Sequence, residues 1–469
     1  MRKINEECGI FGIISPEPIQ AAGLTASALL ALQHRGQEGA GIATFYTDDT
    51  LICHKNVGLV NDIFGDFLRH VPSTNVAVGH VRYSTTGNNT VENTQPIETV
   101  HSQLTCALAH NGNITNAAKL RSEMVNQGGK VFHTTNDSEI INMLLIEQMI
   151  CCRNIEKAVL NVMNILEGAF SLVIATPEKL IAARDKCGFR PLCMGKLGSA
   201  TVFASESCAL DCIGAEFVRD VQPGELISID RFGKEKNMRQ KDLSCRGLCV
   251  FEMIYIARSD SFIDGMSVYE SRLTMGRALY RQKPIEADIV CGVPDSGLDA
   301  ALGYSLESGI PYAPAFVKNR YMGRSFIEPS QKMRERTVNV KLNPLRAQIE
   351  GKRIVLVDDS IVRGTTSARM LAPLRQMGAK EIHLRISSPP FKHPCYFGTD
   401  IDSVENLIAN HLSVEEICKK IGADSLEYLD LNNLVAIGKE KGVKFCSGCF
   451  TGEYPIPVVG SGKHTFDDV

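Results

Sequence analysis

Arg353-Ile354-Val355-Leu356-Val357-Asp358-Asp359-Ser360-Ile361-Val362-Arg363-Gly364-Thr365-Thr366-Ser367 decides how the second half of this chain folds. It opens on a continuous apolar run, Ile354 to Val357, of the kind that makes a strand buried on both faces. Two carboxylates stand at the strand's carboxyl end. A loop of small, hydroxyl-bearing residues follows, and residues 367–377 read as a helix. Ligands in open α/β sheets sit beyond strand carboxyl ends. Such a loop can offer backbone N–H groups, hydroxyls and a helix N-terminus to a phosphate. Paired acids suit ribose hydroxyls and, directly or through water, magnesium. An ordinary strand, turn and capped helix explains part of the pattern, but not the adjacent acids beside a hydroxyl-rich loop.

Outward from this motif, residues 289–293 form another continuous apolar run and residues 382–386 a weaker one. Buried strands joined by helices predict a parallel sheet. The first half differs. Short strands are expected over 8–14, 75–81, 104–109, 170–175, 180–183 and 202–204. Helices are expected over 21–32 and 137–150, the second capped by Asn136 or Asp137. That region is strand-rich α/β with helices outside, and the charged stretch 231–241 reads as its linker to the second half.

The chain has 469 residues, enough for two or three domains, and a net charge of −3. Nucleic acid binding through bulk electrostatics is not indicated. No apolar run reaches the roughly 18 residues of a membrane span, and residues 1–7 carry no secretory apolar core. A soluble cytoplasmic protein is the default expectation. Sixteen cysteines in such a chain do not suggest a disulfide framework. Most read as small buried hydrophobes, as at Cys106 and Cys291.

Some cysteines stand where chemistry would want them. Cys8 precedes Gly9-Ile10-Phe11-Gly12-Ile13. A thiol becomes a strong nucleophile when a base takes its proton. If residues 1–7 were removed, Cys8 would carry its own α-amine, whose unperturbed pKa near ~8 suits a general base. Alone, Cys8 reads more readily as a small residue filling a strand. Four further segments follow in order: Gln33-His34-Arg35-Gly36-Gln37-Glu38-Gly39-Ala40-Gly41, Gly79-His80-Val81-Arg82-Tyr83-Ser84-Thr85, Ala109-His110-Asn111-Gly112-Asn113 and Thr135-Asn136-Asp137-Ser138-Glu139. Singly these are a turn, a solvated arginine, a hairpin and a helix cap.

Together, across residues 8 to about 240, they resemble the amino-terminal-nucleophile (Ntn) glutamine amidotransferase domain. The resemblance implies that Cys8 attacks the glutamine amide to form a thioester. Asn111 and the Gly112 amide would hold the oxyanion. Arg82 would pair with the α-carboxylate of glutamine and Asp137 with its α-ammonium. Cleavage between Glu7 and Cys8 is expected, because removing Met1 alone cannot free the Cys8 amine.

The 353–367 motif resembles the phosphoribosyl pyrophosphate fingerprint of type I phosphoribosyltransferases. That resemblance gives Asp358 and Asp359 to ribose and Mg²⁺, and Arg363, Gly364, Thr365, Thr366 and Ser367 to the 5-phosphate. In Val293-Pro294-Asp295-Ser296-Gly297 it gives Ser296 to the metal. Lys318 would bind the substrate at the start of a basic stretch that runs to Arg336 and includes Arg324, Lys332 and Arg334. The family uses this stretch as a lid over the pyrophosphate.

Cys446-Ser447-Gly448-Cys449 is a close-spaced pair that redox chemistry, zinc or plain structure would each explain. The whole chain resembles the amidophosphoribosyltransferase family, some members of which carry a 4Fe–4S cluster. The resemblance joins Cys249 and Cys395 to Cys446 and Cys449 as ligands, with Cys245 a nearby decoy and four-cysteine zinc the alternative. It also implies a homotetramer, inhibition by purine nucleotides, and the first committed step of purine nucleotide synthesis.

The expected fold is therefore α/β with two domains. A propeptide, 1–7, precedes an αββα Ntn-hydrolase glutaminase domain, 8–240. A type I phosphoribosyltransferase domain with a parallel sheet and a cluster-binding C-terminal segment, 241–469, follows. The rival reading is a regulator that binds phosphoribosyl pyrophosphate and catalyses nothing.

Overall fold

The computed structural model describes residues 8–46, 48–83, 90–318, 342–401 and 403–458. The expected propeptide, Ser84 and Thr85, and the basic stretch beyond Lys318, with Arg324, Lys332 and Arg334, lie outside these residues.

The first half stacks two antiparallel sheets. One runs in the spatial order Glu216–Asp220, Cys193–Leu197, Ala200–Ala204, Gly9–Ile19, Thr74–Arg82, Gly39–Phe45, Leu51–Val57. The other runs Glu235–Arg239, Glu225–Asp230, Lys179–Arg184, Gly168–Ala175, Leu104–Ile114, Ile97–His101. Side chains alternate across a strand, and Gly9–Ile19 shows what that does. Phe11 and Ile13 join the core under helix Ala21–Ala31. Ile10 and Ile14 instead meet Ala107, Val173 and Leu180 of the facing sheet. On the far side of the second sheet, helices Asp137–Cys152 and Ile155–Ile165 cover Leu108, Leu172 and Ile174. The layers are helix, sheet, sheet, helix, as the resemblance implies.

The charged stretch 231–241 is not a linker. Glu235–Arg239 pairs with Glu225–Asp230 as an edge strand. Exposed charges are how an edge strand resists pairing with other chains, and in sequence they look the same as a linker. Gln240 still belongs to this layer, its backbone N–H bonding Gly224 O and its side chain Met163 O.

The second half holds a four-stranded parallel sheet in the order Ile289–Gly292, Arg353–Asp358, Glu381–Ile386, Ser425–Tyr428. Ile354 and Leu356 face a core with Met370, Leu371 and Leu374 of helix Thr365–Gln376. Val355 and Val357 face the opposite core with Ala300, Ala301 and Tyr304. Burial on both faces is why the run is uninterruptedly apolar.

Cys106 and Cys291 are fully buried, and burial pushes the Cys106 thiol up to about 12. One disulfide joins Cys187 to Cys245, so Cys245 is not a free thiol beside Cys249.

Candidate functional site

The first sheet ends where Cys8 begins. Gly9 pairs with Val81 and Ile10 with His80, which sets Cys8 beside Arg82 at the strand margin. Both are buried. The Cys8 thiol donates to Tyr83 O at 3.5 Å. Burial lowers the pKa of the Arg82 guanidinium, while Cys8 and Glu38 act in the opposite sense. Burial, reinforced by Arg82, also drives the His80 imidazole down to about 3, so it is neutral at physiological pH. Its Nε2 lies 3.1 Å from His110 O, which ties this margin to the strand of the second sheet that carries Asn111.

Asn111 is buried on Leu104–Ile114, and its side-chain nitrogen has no hydrogen-bond partner. A donor left unpaired in a dry site is costly unless a ligand uses it. Gly112 has φ +147°, and a Cβ there would lie 2.0 Å from Ala169 O. No other residue fits this position, because any side chain would meet the neighbouring strand's backbone. Asp137 opens its helix under the Asn136 cap, whose side chain accepts from Ser138 N at 3.0 Å. One Asp137 oxygen accepts from Ile114 N at 3.0 Å, and the other lies 3.5 Å from His110 Nδ1.

In the second half, Asp358 closes its strand and Asp359 follows, both largely buried. Asp358 Oδ1 accepts from Asp359 N at 3.0 Å. Ser296 Oγ donates to Asp359 Oδ1 at 2.5 Å, so the two turns after neighbouring strands meet here. Ser360 Oγ donates to the other Asp359 oxygen. Lys318 is exposed and ion-paired to Asp295 in the same turn as Ser296. Gly364 has φ +74° and precedes helix Thr365–Gln376, whose first turn contains Thr365, Thr366 and Ser367. The first amides of a helix have no intrahelical partner and point outward. Arg363 is half-buried and Ser367 buried beside them. Apart from the helix beginning at 365 rather than 367, this motif is arranged as its sequence reads.

The four cysteines come together from three segments. Cys249 and Cys446 face each other in a short parallel ladder. Cys449 lies one turn on, in Gly448–Thr451. Lys392 and His393 donate backbone N–H to Cys449 O at 3.1 and 3.0 Å, which brings in the segment bearing Cys395. Burial first, then Cys249, Cys395 and Cys446, push the Cys449 thiol well above its ordinary value. Phe189 and Phe397 stack beside them, and Tyr454 donates to Pro394 O at 2.6 Å. Among the described residues, no three or more His, Cys, Asp or Glu side chains form a group that could hold a metal ion. The thiols share a neighbourhood without closing on one point.

Sequence reading missed a buried charge network between the halves. The Arg35 guanidinium reaches Cys8 O through Nε at 3.1 Å, Glu206 through Nη1 at 2.5 Å and Glu252 through Nη2 at 2.7 Å. Burial would raise the Glu206 carboxyl, but His34 and Arg35 hold it well below the usual carboxylate range. One signal was available. Glu252 is the lone acid in the apolar run from Leu248 to Ile256, where an unpaired charge could not be buried.

A family model described as a glutamine amidotransferase domain matches residues 80–212. The chain is 48% identical to the amidophosphoribosyltransferase of Synechocystis sp., over 97% of this chain and 92% of that protein. It is 43% identical to the Bacillus subtilis amidophosphoribosyltransferase, over 98% and 96%. It is also similar to the solved glutamine phosphoribosylpyrophosphate amidotransferase from B. subtilis complexed with ADP and GMP. There the TM-score is 0.89 at 43% identity, covering 97% of this chain and 99% of that one. Likeness of this degree along nearly the whole length, on the layered fold and two sites described above, means that the chain belongs to the amidophosphoribosyltransferase family.

Proposed function

We propose that this protein uses glutamine to convert phosphoribosyl pyrophosphate to 5-phosphoribosylamine, with residues 8–240 and 241–469 each housing one half-reaction. The observation that carries the reading is one chain with two built sites. One has a buried thiol at a strand margin that His80 ties to the strand of an unpaired buried amide donor, and the other has an acid pair just ahead of a helix N-terminus.

At the first site, the Cys8 sulfur attacks the side-chain carbonyl of glutamine. Its proton passes to the α-amine of Cys8, freed by loss of residues 1–7. The developing oxyanion accepts hydrogen bonds from Asn111 Nδ2 and Gly112 N–H, donors aimed before the charge appears. Arg82 pairs with the α-carboxylate and Asp137 with the α-ammonium, so both charges are matched on desolvation. The tetrahedral species collapses, the amine returns the proton to the leaving nitrogen, and ammonia departs. Water then hydrolyses the thioester to glutamate.

At the second site, Arg363, Gly364, Thr365, Thr366 and Ser367 hold the 5-phosphate and Asp358 and Asp359 the ribose hydroxyls. Lys318 balances pyrophosphate charge. Ser296, Asp358 and Asp359 form an all-oxygen set that suits Mg²⁺. Bound there, magnesium would neutralise charge on the leaving pyrophosphate. Ammonia attacks the anomeric carbon as the bond to pyrophosphate breaks. A dry passage keeps it unprotonated, since in water near neutrality it is mostly ammonium.

Cys249, Cys395, Cys446 and Cys449 are proposed to bind a structural 4Fe–4S cluster. A single zinc draws four sulfurs to about 2.3 Å from one point; a cluster spreads its thiolates over four irons. Protein purified without oxygen should contain iron and labile sulfide in equal amounts, and exposure to air should release iron and activity together. Zinc without iron would replace the cluster with a zinc site.

Purine nucleotides are proposed as inhibitors, in keeping with the ADP and GMP of the solved relative. The protein is proposed to be a cytoplasmic homotetramer, and no described helix is long and apolar enough to cross a membrane. The buried Cys187–Cys245 bridge is uncommon for that compartment. A regulator without catalysis would have no use for the buried Asn111 donor. The deciding experiment supplies glutamine labelled with ¹⁵N in its side-chain amide. Label should appear in the ribosylamine product with one pyrophosphate released per glutamate formed. Pyrophosphate that is never released, whatever the nitrogen source, defeats the proposal.

A further inference from the structure

The charge network at the junction gives Glu252 a task, and the inference rests on Cys8 being the glutamine nucleophile. We propose that Glu252 is a positioning residue. Its carboxylate, supplied by the second half of the chain, holds the Arg35 guanidinium against the Cys8 carbonyl and so sets the nucleophile for attack.

Three observations carry this. First, the contact is a two-pronged one, Arg35 Nη1 to Glu252 Oε2 at 3.0 Å and Nη2 to Oε1 at 2.7 Å, with both side chains fully buried. Paired planar contacts of this kind fix orientation as well as charge. Second, Arg35 Nε is thereby turned onto Cys8 O at 3.1 Å. Once residues 1–7 are gone, Cys8 has no preceding peptide to restrain it. Its carbonyl is then the backbone group through which its sulfur and amine can be oriented together. Third, Glu252 is itself braced. It begins a π-helical turn, Glu252–Ile256, a form that recurs at functional sites. Arg190 Nη1 lies 3.5 Å from its Oε1, and Arg190 also donates to Phe397 O and to Thr399 Oγ1. Arg35 is thus held by one carboxylate from each half: Glu206, which also accepts from Arg258 N and Ser261 Oγ at 2.9 and 2.7 Å, and Glu252. A shift of the second half that moved Glu252 would be transmitted to Cys8 through one guanidinium.

A purely structural role would make Glu252 a clamp on the junction, and its loss would impair both nitrogen sources alike. The test therefore reads their ratio. Glu252→Gln keeps the volume and an acceptor oxygen but removes the charge. The ratio of glutamine-supported to ammonia-supported rate should fall on the order of tenfold to a hundredfold, through kcat more than through the glutamine KM. Alkylation of Cys8 by iodoacetamide should slow in parallel. Glu252→Asp, which keeps the charge with a shorter reach, should fall between. Should Glu252→Gln not fold, Arg35→Lys serves. It leaves a cation for both carboxylates but removes the N–H on Cys8 O, and the same fall in ratio is expected. An unchanged ratio in a folded variant, or equal loss with both nitrogen sources, overturns the inference. Wild-type protein that is inactive with either source overturns the functional reading beneath it instead.

Discussion

Replacing Cys8 with Ala is expected to lower glutamine-dependent release of pyrophosphate by roughly 10⁴-fold or more, to the background rate. Synthesis from high concentrations of ammonium salts above neutral pH should survive. The asymmetry follows from the layout. Cys8 sits at the margin of the antiparallel sheet of the first half, and its bonds run to Tyr83 and Arg35. The acid pair lies at the end of a parallel strand in the second half. Removing one sulfur leaves only a small cavity, and the Arg35 contact is to the Cys8 backbone oxygen and survives, so the fold should persist. The same preparations test the leader. Intact mass of active wild-type protein should begin at Cys8, because an amide nitrogen at that position could not act as the base. Active protein that retains all seven leading residues would remove the α-amine from the mechanism. Loss of ammonia-dependent synthesis in the alanine variant would mean that the two centres are not separable as described.

The converse experiment removes the acid pair. Asp358→Asn with Asp359→Asn should lower synthesis on the order of 10²–10³-fold from glutamine and ammonia alike. Labelling of Cys8 by an electrophilic glutamine analogue should continue. Asparagine keeps the shape and some hydrogen bonding but removes two negative charges. Asp359 now accepts from both Ser296 Oγ and Ser360 Oγ, and Asp358 from the following backbone N–H. An amide can keep part of that pattern, so the helix N-terminus should stay formed while affinity for a divalent cation falls. Equilibrium dialysis with Mn²⁺ in place of Mg²⁺ measures this directly. A double variant that still makes ribosylamine at the wild-type rate would take Asp358 and Asp359 out of the proposed chemistry.

The two sites differ in how much of them could be read from the chain. The phosphoribosyl motif was legible because its parts are contiguous: strand, acids, turn and helix follow within fifteen residues, and strand polarity alone puts the acids at the ligand-binding end. Even so, the meeting of Ser296 with Asp359 depends on the parallel pairing of 289–292 beside 354–357. The thiol site was legible as an ordered set of short segments rather than as one motif. Asn111 and Gly112 were found, but nothing local says that the Asn111 amide nitrogen is left without a partner. The charged run 231–241 misled for a physical reason. An edge strand needs exposed charge for the same solvation that makes a linker charged.

By itself, the sequence determined which strand is buried on both faces and that two acids and a hydroxyl-rich turn stand at its carboxyl end. Those properties depend on near neighbours, whose spacing is fixed by the backbone. The tertiary structure alone decided which distant groups share a dry interior. Arg35 meets Glu206 and Glu252 across 171 and 217 residues of chain, Cys187 meets Cys245 at a Cα separation of 4.7 Å, and Cys395 and Cys446 pack beside the stacked Phe189 and Phe397. A buried charge must find an opposite charge somewhere, but which one is settled only when the layers pack, because the pairing is chosen by distance in space and by the exclusion of water.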